Sequence, residues 1–334
     1  MSHCHLWPVA QFARSPSITP CFVNNRFIDR FTTRNSMGFS VDLSCCADSH
    51  LSSDQASEHT LSSINAEWQQ QLHPDSNMPF PKTFDAYVPS NYKELFGLAK
   101  FKPDYVSFET LRLVSLDPAH TASFEYAKKI TPHEGFIHSI RCYYFALAML
   151  HSGFPSETPG VPQITFEELS RRLYHTCILH DLGWTTTAEG REHGAAAMTF
   201  ELHGGIMAYE HLQAVAPDLN AQQVGDIVQS IVLHTSEWPS GKSSATKTLM
   251  SLSAFFDVCG YDAQGPGSFS PLINRKTVQE IEKEYPRGNF ATEGIEVLER
   301  EFEQKPDCLL AHFHAGPNEF LKAVRKEPIV PVNE

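Results

Sequence analysis

His180 and Asp181 stand side by side at the end of a strongly apolar run that includes Leu173, Tyr174, Cys177, Ile178 and Leu179. An ionised carboxylate at the inner end of such a segment is costly unless it is paired or bound to a cation. Taken alone, a His-Asp pair is common by chance and reads as a surface helix end. Two further residues change its weight. His138 lies in Phe-Ile-His-Ser-Ile-Arg and Asp257 in Ala-Phe-Phe-Asp-Val-Cys-Gly, again inside apolar patterns. Three separate helices thus each carry a metal-ligating side chain in a hydrophobic setting. The expectation is one divalent metal held by His138, His180, Asp181 and Asp257. A mixed nitrogen and oxygen set without thiolate suits zinc, with iron or manganese as alternatives, better than magnesium.

The elements that must position these residues read as helices. Asp117-Pro118 is a start signal, a capping Asp followed by Pro at the first helical position, and it opens a helix over Ala119–Lys129. A second helix runs from about His133 to His151. Phe136, Ile140, Tyr143, Tyr144 and Leu147 recur on it at helical spacing, while Phe145 and Met149 occupy another face, so this helix is expected to be buried nearly all round. Further helices are expected at Thr165–Asp181, Leu202–Ala214, Ala221–His234, Thr246–Gly260, Asn274–Tyr285, Thr292–Glu303 and near Glu319–Lys326, each bounded by Pro, Gly or short polar clusters. No segment shows sustained period-two alternation. The fold class is therefore all-α, a packed helical bundle. Residues 84–334 form the body, with a core at about 117–300. Residues 1–83 read as an extension carrying one peripheral helix at Leu61–Leu72.

The first forty residues hold four Arg and one Asp, with neither Lys nor Glu. Such an Arg-rich, acid-poor start reads as a mitochondrial transit peptide, a disordered tail, or sequence upstream of a natural start at Met37. The formal net charge of the chain is −13. That surface disfavours nucleic acid, whose backbone is bound through Lys and Arg, and suits a small neutral or cationic substrate better. No run approaches the length of a membrane span. Eight Cys are scattered without a framework, which fits a reduced compartment, the cytoplasm, with the mitochondrion as the alternative. Association with a second copy of the chain is left open.

His138, His180-Asp181 and Asp257, in this order on helices, resemble the H…HD…D signature of HD-domain metal hydrolases. The resemblance to the cyanamide hydratase branch is closer. It rests on 132–144, the run His180-Asp181-Leu-Gly, Met198-Thr-Phe-Glu-Leu-His-Gly-Gly205, the Asp257 segment with Gly260, and Tyr285-Pro-Arg287. It implies an HD-domain helical bundle, one zinc, and hydration of a nitrile carbon: cyanamide plus water gives urea. Asp181, His203 and His234 would be the catalytic groups, and Thr185 and Thr199 would orient the substrate amine or a water. His203 departs from the branch, whose members carry Tyr there. In the wider family, extra His between the HD pair and the last Asp hold a second metal. His203 and His234 could do so here, which keeps open a phosphohydrolase acting on a nucleotide or other phosphoester. Arg141 and Arg191 are the basic residues near enough to serve phosphate. A binding module without catalysis is the third reading. Glu201 and Glu237 read as solvated helix-end charges, and Gly204-Gly205 as a close helix contact.

Overall fold

The computed structural model describes residues 80–114, 117–313 and 316–331. The expected helix at 61–72, the Arg-rich start and Met37 lie outside the described residues. The chain is mostly helical. Two short helices, α1 (Tyr92–Leu98) and α2 (Phe108–Leu111), precede the bundle of α3 (Pro118–Ile130), α4 (His133–His151) and α5 (Phe166–Leu179). A 3-10 turn (Leu182–Trp184) and the one-turn α6 (Ala188–Arg191) lead into α7 (Phe200–Val215) and α8 (Ala221–Leu233). Then follow α9 (Ala245–Cys259), α10 (Arg275–Glu284), α11 (Phe290–Gln304) and α12 (Pro317–Ala323).

The local signals act as their chemistry requires. Asp117 caps α3 by accepting the His120 N–H at 2.9 Å, and the His120 ring accepts the Asp117 N–H in return. Gly260, at φ 73°, ends α9 in the left-handed region that glycine enters without cost. The most central helix is α9, all of whose residues from Ala245 to Cys259 are buried. It packs on α4, α5 and α8, and α4 is itself buried on most of its circumference. A helix enclosed in this way has no wet face on which a charge can rest, so a charged side chain on it must find a partner inside.

The described residues also form two antiparallel ribbons that period-two analysis does not detect. β1 (Thr83–Asp85) pairs with β3 (Gln163–Thr165), and β2 (Tyr87–Pro89) with β4 (Lys242–Ser244). At three residues each, such strands are too short to show alternation. They staple the segment before α1 to the starts of α5 and α9.

One close approach fixes the His180-Asp181 segment. A Cβ on Gly183 would lie 2.1 Å from the Phe200 carbonyl oxygen, and one on Gly204 would lie 3.0 Å from the Gly183 amide nitrogen. The 3-10 turn and the first turn of α7 therefore meet backbone to backbone. We expect Gly183→Ala to cost about 3 kcal/mol, at the upper end for overpacking, because backbone cannot move aside as a side chain can. Urea unfolding of wild type and variant measures it, and an unchanged midpoint would refute the contact.

Candidate metal centre

α5 ends at His180, which keeps helical angles (φ −65°, ψ −31°), while Asp181 leaves them (φ −100°, ψ 19°). The chain turns there, and both side chains reach the interior. His138 comes from the middle of α4 to meet them. His138 Nε2 is 3.3 Å from His180 Nε2 and 3.7 Å from Asp181 Oδ2, and His180 Nε2 is 3.2 Å from Asp181 Oδ2. His234, which ends α8, joins: its ligand atom lies within 4.8 Å of those of His180 and Asp181. All four residues are buried.

Hydrogen bonds assign the imidazole tautomers. His138 Nδ1 donates to Asp257 Oδ2 at 2.5 Å. His180 Nδ1 donates to the Cys177 carbonyl at 2.7 Å, and His234 Nδ1 to the Ile231 carbonyl at 2.6 Å. The last two are one device used twice: a helix-ending His turns its ring back onto the carbonyl three residues earlier. In each ring the proton is thereby held on Nδ1, and Nε2 keeps its lone pair. Three imidazole lone pairs and a carboxylate oxygen then face one another, and Asp181 Oδ2 has no hydrogen bond of regular geometry although it is buried. Acceptors crowded together repel unless a cation sits among them. Metal bonds of about 2.0–2.2 Å put neighbouring ligand atoms about 3.0–3.5 Å apart; His180 Nε2 lies at such distances from His138 Nε2 and Asp181 Oδ2, and the remaining pair, at 3.7 Å, is slightly wider. The residues fit a divalent metal.

The ionisation of the cluster follows from the same crowding. Burial lowers His234 to about 3, helped by its neighbour His180, so that ring stays neutral. Burial also lowers His138. His180 is pulled down by burial but raised on balance by the Asp181 carboxylate beside it. A proton there marks the place where positive charge is most stabilised, which is where a cation would compete with it. Burial holds the Cys142 thiol well above its ordinary value, with Asp257 adding to it. Cys142 packs at 3.6 Å from both His138 ring nitrogens as a neutral thiol.

The structure puts Asp257 behind His138 and not among the facing atoms. Arg141 grips its carboxylate with Nε at 2.7 Å and Nη2 at 2.8 Å, and Arg287 Nη1 adds a bond to Oδ1 at 3.1 Å and one to the Asp257 carbonyl at 2.7 Å. With the bond from His138, both carboxylate oxygens are saturated. Burial works against the charge, but the two guanidinium groups hold Asp257 well below the usual carboxylate range. Asp257 orients the His138 ring as a carboxylate partner of a metal-binding imidazole does. The fully buried Arg141 is committed to this clamp and to the Tyr285 and Pro286 carbonyls, so it is not available to a phosphate. Arg191 is exposed and lines a different cleft.

The facing lone pairs of the cluster open on a cavity of ≈ 30 Å³. Its wall is apolar, formed by Trp184, Phe200, Phe255, Phe290, Leu298 and their neighbours, with Thr235 as the one neutral hydroxyl among the described residues. His203 and Thr185 do not reach it. They line a separate cleft of ≈ 390 Å³ with Arg191, Arg300 and Lys305, and among the described residues Trp184 alone borders both spaces. On α7, Phe200 lines the cavity while His203 lines the other cleft. Burial lowers His203 to about 4, with His193 and Lys305 adding to it. Among the described residues it stands outside both groups of converging ligand atoms. Thr199 precedes α7 with its hydroxyl buried beside the Glu201 carboxyl. Glu201, expected to be solvated, is fully buried, and its Oε1 accepts from the Leu310 N–H at 2.8 Å and the Thr235 hydroxyl at 3.1 Å. The sequence carries no signal for that pairing. Arg141 does carry one, since a charge on a helix buried all round must be paired.

No protein-family model matches the chain. Two curated proteins of Saccharomyces cerevisiae do, cyanamide hydratase DDI2 and cyanamide hydratase DDI3. The chain is a distant relative of these hydratases. Each is 27% identical to it over 198 residues, which is 59% of this chain and 75% of the relative.

Proposed function

We propose that the protein hydrates a small nitrile, converting cyanamide and water to urea, on one divalent metal, zinc by preference, held by His138, His180 and Asp181 with His234 completing the set. The observation that carries this reading is the convergence of four buried acceptor side chains on an apolar cavity of ≈ 30 Å³. A site for one water takes about 10–15 Å³ on this measure, so the space suits a water and a molecule of three heavy atoms.

A bound divalent cation would polarise the nitrile nitrogen or acidify a water. The protein's part is geometric and protonic. His138, His180 and His234 hold their Nε2 lone pairs inward through their Nδ1 bonds. The aromatic and aliphatic wall excludes bulk water and aligns the nitrile carbon with the attacking oxygen. Asp181, kept ionised by His180 and His138 despite its burial, receives a proton from the water as the carbon–oxygen bond forms and passes it to the nitrile nitrogen. A second proton shift from oxygen to nitrogen yields urea, so the atoms of cyanamide and one water are all accounted for.

The phosphohydrolase reading loses its support at two points. A nucleotide needs a pocket of several hundred Å³, and Arg141 is spent on Asp257. Purified protein should contain about one metal per chain, release urea from cyanamide, and leave nucleotides and phosphoesters intact. Nucleotide hydrolysis with no urea release would reverse the assignment.

A further inference from the structure

Thr235 is the only neutral hydrogen-bonding hydroxyl among the described residues on the cavity wall, and its proton is already placed. Its Oγ1 donates to Glu201 Oε1 at 3.1 Å. That same oxygen takes the Leu310 N–H at 2.8 Å, which marks it as the accepting oxygen of the carboxyl group in either charge state. Any proton on Glu201 belongs on its other, buried oxygen, Oε2. A threonine hydroxyl has one hydrogen and two lone pairs. With the hydrogen committed, Thr235 offers only lone pairs to whatever occupies the cavity.

We propose that Thr235, oriented by Glu201, selects substrates that carry an N–H or O–H donor next to the nitrile and discriminates against alkyl nitriles of the same size. The inference rests on the hydratase reading for its substrate class. Cyanamide and acetonitrile make the comparison sharp. Each has three heavy atoms and a linear nitrile, and they differ in an amino group against a methyl group. In an apolar cavity of this volume shape cannot separate them. A hydrogen bond to a waiting acceptor can, because a methyl group in place of the amino group leaves the buried Thr235 lone pairs unsatisfied.

The test compares wild type, Thr235→Val and Thr235→Ser, each as the full, metal-loaded chain, with kcat/KM for cyanamide and Ki for acetonitrile. Thr235→Val should lower kcat/KM for cyanamide by about 10- to 100-fold, the size of one lost buried hydrogen bond. It should leave the acetonitrile Ki unchanged or tighten it, because the methyl group no longer faces unsatisfied lone pairs. Thr235→Ser keeps the hydroxyl and should retain the wild-type preference. Equal losses for both ligands would show a merely structural role and overturn the proposal, as would no loss for either. If the valine variant fails to fold, the wild type decides: calorimetric Kd values for the two ligands that agree within about threefold, less than one hydrogen bond supplies, refute selection by Thr235. If the wild type releases no urea, the hydratase reading falls, and the same pair of Kd values, with their change in Thr235→Ser and Thr235→Val, still settles whether Thr235 reads a donor.

Discussion

His180→Ala should lose its metal and its activity together while remaining helical. The ring supplies one of the facing lone pairs and lies 3.2–3.3 Å from two of the others, so its removal opens the set at its centre. Partners that only orient a ligand are worth about 10–100-fold in metal affinity, and a ligand itself is worth more, so urea release should fall by at least roughly 10³-fold. Metal content measured by elemental analysis should drop from about one per chain to near zero. The fold should survive, because His180 ends α5 instead of sitting inside it. The local loss is the bond to the Cys177 carbonyl, about 1 kcal/mol. His203→Tyr is the matched control. Its ring lies in the other cleft, so the variant should keep its metal and stay within about tenfold of wild-type activity, below the usual scale of a general acid or base. A His180→Ala protein with full metal content would remove that ring from the centre. Halved metal in His203→Tyr would restore the two-metal reading.

Apolar context made the meeting of His138, His180 and Asp181 legible in the sequence. A polar ligand-type residue inside a hydrophobic helical pattern requires an interior partner, and three such residues on separate helices can share one. Capping chemistry placed α3 within a residue of its observed start, and apolar periodicity placed the span of α4. Two kinds of information were not legible. The first is direction. Apolar context puts Asp257 in the interior, but it does not say whether the carboxylate faces the cluster or the guanidinium groups of Arg141 and Arg287. The second is long-range pairing of weak local signals. β1 and β3 are three residues each, with Thr83 opposite Thr165, and neither has enough alternation to declare itself. Glu201 belongs to this class too. An acidic residue in the first turn of a helix is the ordinary partner of the helix dipole. Only the tertiary structure shows that the Leu310 amide and Thr235 close over it.

Asp257 separates two roles by experiment. Its carboxylate is saturated by His138, Arg141 and Arg287, which makes it a positioning residue. Asp257→Ala should destabilise the protein by about 3–5 kcal/mol, because it leaves guanidinium groups buried without their counterion. Arg141 is fully buried and Arg287 is 6% exposed. The depressed pKa gives the interaction its pH window. A group held below its ordinary value contributes fully above that value, so the contribution is present above about pH 4. It is lost only as pH falls through the lower, folded value. The difference in stability between wild type and Asp257→Ala should therefore be constant from pH 5 to 8 and shrink in strong acid. Asp257→Asn is gentler. The amide oxygen can still accept from one guanidinium, but the charge that anchors the His138 Nδ1 proton is gone. Metal affinity should then fall about 10–100-fold, the scale of an orienting partner, with about one metal per chain recovered at saturating concentration. Metal titration of Asp257→Asn against His180→Ala is the measurement. Recovery in the first and not in the second is expected. An Asp257→Asn protein that cannot be reloaded at any metal concentration would place Asp257 among the ligands and overturn the positioning role.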